Sequence, residues 1–193
     1  MSAGPHLFWI TSRAAGTAAM ILASASVCVG ILMAARLGRG RGPELRALHE
    51  TLSLTAIGAI ALHGLALLFD GFFHPGLAGI AVPFAGSYRP LWTGVGIIAG
   101  YGLAALGLSY YARDRIGQAR WRRLHQFTAL FWLLGVAHTI GSGSDARQAW
   151  FLVAIAIAVL PAAALVLTRV GRGLAGALDL PRSVSPVDAP NRR

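Results

Sequence analysis

Lysine is missing from this chain of 193 residues, cysteine occurs once, and seven acidic side chains stand against 17 basic ones. A single cysteine, Cys28, excludes an internal disulfide and any iron–sulfur cluster built from this chain's thiolates alone. Set within an apolar run, it reads as a small core residue. Charged residues make up only 12% of the chain, and long stretches have none. Those stretches are apolar: 55% of residues are hydrophobic and the mean hydropathy is +0.61, which points to the bilayer as solvent. None alternates as a lipid-facing strand would, so helices are expected.

Five runs approach the ~20 residues that a membrane helix needs. They extend from about Phe8 to Ala35, Ala47 to Phe69, Leu91 to Ala112, Leu124 to Ile140 and Ala149 to Thr168, bounded by Arg, Asp, Pro and Gly clusters. The expected fold is an all-α integral membrane bundle of five transmembrane helices, one domain over residues 1–170. A disordered cytoplasmic tail, rich in Pro, Arg and small residues, is expected over 171–193. Ala23-Ser24-Ala25 in the first run resembles a signal-peptide cleavage pattern. The run has no basic start, is too long for a signal core and carries its positive charge behind it, so it is read as a retained helix.

Short loops rich in arginine stay in the cytoplasm. The loop after the first run holds Arg36, Arg39, Arg41 and Arg46 against Glu44; the loop after the third holds Arg113, Arg115, Arg120, Arg122 and Arg123 against Asp114. The other two loops are almost neutral, bracketed by Asp70 and Arg89 and by Asp145 and Arg147. The N-terminus is therefore expected outside and the C-terminus in the cytoplasm. The formal charge of +10 then serves topology and lipid headgroups, and no nucleic acid partner is expected.

Against this background four histidines stand inside apolar helices: His49 and His63 in the second, His125 and His138 in the fourth. An ionisable residue within the bilayer is a functional hypothesis by default. The second and fourth helices run in the same direction, so His49 and His125 share a depth near the cytoplasmic surface. His63 and His138 lie about 21 Å and about 20 Å further along. Two imidazoles facing each other at one depth suit the axial positions of a heme iron, and two depths suit two hemes. Helical phase brings His63 to within about 40° of His49 but leaves His138 about 140° from His125. Gly135 is the expected place of a kink or bulge that restores the face; a straight helix would leave one heme. Arg46-Ala47-Leu48-His49 and Arg122-Arg123-Leu124-His125 share the pattern Arg-x-Leu-His. It offers Arg46, Arg122 and Arg123 either to heme propionates or to plain cytoplasmic anchoring.

These residues resemble the ferric reductase-like transmembrane domain shared by ferric-chelate reductases, NADPH oxidases and the membrane subunit of the bacterial methionine sulfoxide reductase system. The likeness covers about Leu45 to Ile140 and rests on His49-x13-His63 and His125-x12-His138 in helices separated by one other. Ala61-Leu62-His63-Gly64 and Trp121-Arg122-Arg123-Leu124-His125 support it. The resemblance implies two b-type hemes, the inner held by His49 and His125 and the outer by His63 and His138, with electrons passing across what is expected to be a bacterial inner membrane. The family's unequal spacings imply that the phase mismatch at His138 is accommodated.

The best-known members continue into a cytoplasmic domain for flavin and a nicotinamide nucleotide. The residues after the last run are too few for such a unit, and Gly38-Arg39-Gly40-Arg41-Gly42 follows no strand, so neither site is expected in this chain. The donor is then a separate cytoplasmic flavoprotein, reduced flavin or a quinol. Among extracytoplasmic acceptors ferric iron leads by family frequency, ahead of oxygen or a redox protein. The alternative is a heme-free transporter or channel whose histidines carry protons or metal ions.

The outer loop from Asp70 to Pro90 contains Phe72-Phe73-His74-Pro75 and Ile80-Ala81-Val82-Pro83-Phe84, and is expected to lie along or dip into the interface and roof the outer site. Arg13 and Arg89 read chiefly as arginines snorkelling to headgroups. Asp70 and Glu50 read as solvated helix ends, and His6 and His74 lie outside the spans. Trp9, Trp92, Trp150 and Trp121 fit an aromatic belt, and Trp132 the bundle core.

Overall fold

The computed structural model describes residues 4–36, 40–71 and 74–178. Arg39 of the first basic loop, Phe72 and Phe73 of the outer loop and the tail from residue 179 lie outside the described residues. Among the described residues all regular structure is helical: α1 (Gly4–Ala34), α2 (Gly42–Leu68), α3 (Gly76–Ala81), α4 (Pro90–Leu108), a 3-10 turn (Ser109–Ala112), α5 (Arg113–Ile116), α6 (Gln118–His125), α7 (Thr128–Ser142) and α8 (Ala149–Leu178). Local signals account for several starts. Proline sits in the first turn of α2 and α4, where its missing N–H costs nothing, and Glu44 adds negative charge at the start of α2.

Four helices are long and apolar enough to cross a bilayer, over His6–Ala34, Gly42–Leu68, Pro90–Ile116 and Ala149–Ala175. They give the chain the build of an integral membrane protein. Their lipid-facing surfaces carry apolar side chains that a soluble protein would hide, such as Ile157 and Leu167, each 71% exposed. The run expected from Leu124 to Ile140 differs. It is divided between α6, which is polar, and α7, whose 15 residues extend only about 22 Å. At the other end, α8 continues to Leu178, so the first part of the expected tail is helical.

In lipid, helices associate where small residues let their backbones close up. α1 lies along α2 and touches α7 and α8; α4 lies along α7 and touches α2. Gly102 of α4 takes the Phe131 ring and Gly141 of α7 takes the Trp92 ring, each where a Cβ would overlap ring atoms. By contrast α2 and α7 scarcely approach each other. The bundle thus consists of two tightly packed pairs, α1 with α2 and α4 with α7, that leave a gap between their inner members.

Trp132 closes the middle of this arrangement. It is fully buried among Met20, Ala23, Ala56, Phe151, Ile155 and Ala162. Its Nε1–H donates to Ser24 Oγ at 3.0 Å, and that hydroxyl donates to the Met20 carbonyl at 2.8 Å. Ser24→Ala strands a buried indole N–H at a cost of about 1–3 kcal/mol. Thermal unfolding in detergent should therefore show a lowered midpoint for Ser24→Ala, and a smaller further drop when Ser24→Ala is added to Trp132→Phe, where no indole N–H is left to strand.

Candidate functional site

Histidines face one another across the gap between α2 and the α6–α7 segment at two levels. His49 and His125 have ring centroids 6.1 Å apart with planes at 85°, and His63 and His138 are 6.2 Å apart at 73°. Both levels require His125 and His138 to share a face, although their spacing places them far apart in phase on an ideal helix. The correction lies at Gln126 and Phe127 instead of Gly135, through which α7 runs unbroken. Phe127 N–H donates to Leu124 O at 3.0 Å, Ala129 to Gln126 at 3.4 Å and Leu130 to Phe127 at 3.0 Å, three residues back and not four. Phe131 N–H again donates four residues back, to Phe127 O at 3.2 Å, so the tightening is confined to about one turn, where each residue wound at about 120° instead of about 100° advances the phase toward the face required. Thr128 Oγ1 donates to the His125 carbonyl, whose usual helical donor is diverted.

Each imidazole is anchored through Nδ1 to a backbone carbonyl on a helix other than its own. α1 serves α2: His63 bonds Ser12 O at 2.8 Å and His49 bonds Ser26 O at 3.0 Å. α4 serves the other pair: His138 bonds Trp92 O at 2.9 Å and His125 bonds Leu106 O at 3.3 Å. In three of the four cases the residue four places after the accepting carbonyl is glycine: Gly16, Gly30 and Gly96. A helical Cβ leans back toward the N-terminus and would cover that carbonyl. At Gly16 it would stand 3.0 Å from His63 Nδ1, at Gly30 3.1 Å from His49 Cε1, and at Gly96 it would overlap the His138 ring. These glycines are notches that admit the histidines. Sequence reasoning missed them, although Ser12-x3-Gly16 and Ser26-x3-Gly30 repeat at the same 14-residue interval as His49 and His63.

The anchors settle the chemistry of the rings. A carbonyl only accepts, so Nδ1 carries the proton and Nε2 keeps its lone pair for a metal. Two imidazoles bound to one metal, each nitrogen about 2 Å from it and each ring centre about 1 Å further back, have centroids about 6 Å apart. Both pairs fit that separation. Among the described residues no three His, Cys, Asp or Glu side chains converge, so a bare ion finds two protein ligands at either level. Heme brings four nitrogens of its own and asks the protein for two axial ones, which suits the donor set. A cavity of about 430 Å³ opens beside His49 and His125, lined also by Arg46, Arg113, Tyr110 and Trp121.

The remaining expected residues distribute unevenly. Arg46 lines that cavity; Arg122 and Arg123 are exposed and do not, while Arg113, lying over the Tyr110 ring at 4.1 Å, takes their place. Trp121 does more than mark an interface, since its ring stacks on His125 at 4.9 Å and its Nε1–H donates to Ser109 Oγ at 3.1 Å. Arg13 forms an ion pair with Asp145 and covers the Trp9 ring, and Arg89 Nη1 donates to Gly141 O at 2.6 Å near the end of α7. Both are structural ties, where snorkelling arginines were expected. Asp70 is 2% exposed, which corrects its reading as a solvated end; Glu50 accepts from Tyr111 Oη at 2.6 Å. His74 and His6 are exposed. Between α2 and α4, Ala81 O accepts from Tyr101 Oη at 2.7 Å, well inside α4, so α3 dips alongside that helix.

Comparison with known proteins returns no matching protein-family model, no matching curated protein and no matching solved structure. Gly96→Ala should displace His138, so a metal cofactor held between His63 and His138 would be lost at that level only. Gly135→Ala, whose added methyl meets only Met20 Cε at 3.4 Å, should leave it intact. Cofactor content per chain in the two purified variants checks both.

Proposed function

We propose that this protein is a ferric reductase-like, bis-heme b-type membrane cytochrome that carries electrons from a cytoplasmic donor to an acceptor outside the cytoplasm. The observation that carries the reading is the pair of facing histidine couples, each ring anchored at Nδ1 and spaced for one iron. When bound, heme supplies reversible one-electron chemistry at iron. The chain's own residues do the rest. His49 with His125, and His63 with His138, would hold the hemes through Nε2 at two levels about 20 Å apart. Arg46 and Arg113 supply positive charge for propionates at the first level. Trp132 and its packing keep water out of the space between the levels.

In this reading α7, with the last turn of α6, forms a fifth and shorter span. The arginine-rich loops then lie in the cytoplasm with the C-terminus, the N-terminus lies outside, and the membrane is a bacterial inner membrane. The donor is a separate flavoprotein, reduced flavin or quinol, and ferric iron is the leading acceptor. Cysteine labelling tests the topology in a Cys28→Ala background: an impermeant maleimide should reach Ser87→Cys from the outside, and Arg120→Cys only after permeabilisation.

Heme is tested directly by a dithionite-reduced minus air-oxidised spectrum of the purified protein. Sharp b-type bands at two hemes per chain are expected, and His63→Ala should remove the outer contribution while sparing part of the inner. A colourless protein after expression with ample heme, showing proton- or metal-dependent flux in vesicles, would overturn the redox reading in favour of a transporter.

A further inference from the structure

Hydroxyls within membrane helices ordinarily donate back to the carbonyl four residues earlier. Thr17 does so to Arg13, Ser24 to Met20 and Thr55 to Thr51. Ser12 and Ser26 do not. Ser12, 2% exposed, donates across to the His63 carbonyl at 3.1 Å and sets its Oγ 2.9 Å from His63 Nδ1. Ser26, 6% exposed, holds Ser53 Oγ at 2.8 Å and sets its own Oγ 3.1 Å from His49 Nδ1. With the carbonyl of the same serine already accepting from Nδ1, the single hydroxyl proton of Ser12 is committed elsewhere, and its oxygen faces the ring as a second acceptor. Both α2 imidazoles are thus cradled by two oxygens, whereas the Nδ1 atoms of His125 and His138 each meet one carbonyl.

We propose that Ser12 and Ser26 are positioning residues that lower the reduction potentials of the two sites separately, Ser12 for the His63–His138 level and Ser26 for the His49–His125 level. The inference rests on heme occupying both levels. An acceptor on the far nitrogen raises the basicity of the coordinating one, and a more basic axial ligand favours the ferric state. The second oxygen therefore holds each potential down. The symmetric placement, one serine per level on a single helix, makes α1 a regulatory strut although it bears no ligand.

The test is a potentiometric titration of the two heme waves in the purified wild type and in Ser12→Ala, Ser26→Ala, Ser12→Thr and Ser26→Thr. Each alanine variant should raise one wave and leave the other in place, with the two variants acting on different waves. A shift of up to tenfold in the ferric-to-ferrous ratio is expected, about 59 mV for a one-electron couple. The threonine variants keep the hydroxyl and should titrate as wild type. If an alanine variant loses its heme, Ser→Cys at that position, similar in shape but a weak hydrogen-bonding partner, replaces it with the same expected rise. Unchanged waves in both alanine or cysteine variants, or both waves moving together in either, would overturn the assignment while leaving the bis-heme reading standing. A wild type without heme would instead remove the reading beneath it.

Discussion

The organising constraint is the hydrogen bond from each histidine Nδ1 to a carbonyl on a neighbouring helix. A helical carbonyl already accepts from its own helix, and side chains normally shield it from another donor. Gly16, Gly30 and Gly96 remove that shield at three of the four contacts, so α1 and α4 approach closely enough to serve as fixed backings for the rings. Leu106, whose residue four places on is Tyr110, offers the longest of the four bonds. Once each imidazole is backed from outside, its free nitrogen is turned away from the backing helix. The two ligand helices then need no direct contact, and the gap between them follows from how the four bonds are arranged.

Other ties brace the helices on either side of that gap. Ser24, lying between the two ring-anchoring serines of α1, receives the Trp132 indole, so one helix fixes both histidines of α2 and the central aromatic of α7. The Arg13–Asp145 pair draws α1 to the turn before α8, and Arg89 bonds the last turn of α7, where a cation complements the exposed carbonyls. Arginines that topology alone would send to lipid headgroups are used as braces near the His63–His138 pair. Near the His49–His125 pair the basic side chains Arg46 and Arg113 line an open cavity.

Much was legible without coordinates. Hydropathy marked four of the helices, because a membrane span must be continuous and apolar and so writes itself into composition. The pairing of His49 with His125 and of His63 with His138 followed from depth, which is a linear property of a helix. The position of the phase correction did not follow. Gly135 looked like the weak point, yet the rewinding occurs at Gln126 and Phe127, residues with no breaker character, because hydrogen bonding to the neighbouring helix and the Thr128 hydroxyl decide where a helix tightens. Asp70 likewise looked like a solvated end and is 2% exposed, since burial depends on what the tertiary fold brings against a residue and not on its place at a helix end.

By itself the sequence determined the helical class, the membrane setting, the four histidines and their two depths, all of which depend on local composition and on rise per residue. Only the tertiary structure decided which helices back the rings, that Ser12, Ser26 and three glycines belong to the site, and that Arg113 and not Arg122 or Arg123 lines its cavity. The reason is physical: rise along a helix is additive residue by residue, whereas a second acceptor at an imidazole nitrogen exists only where two helices, distant in the chain, close to within a hydrogen bond of each other.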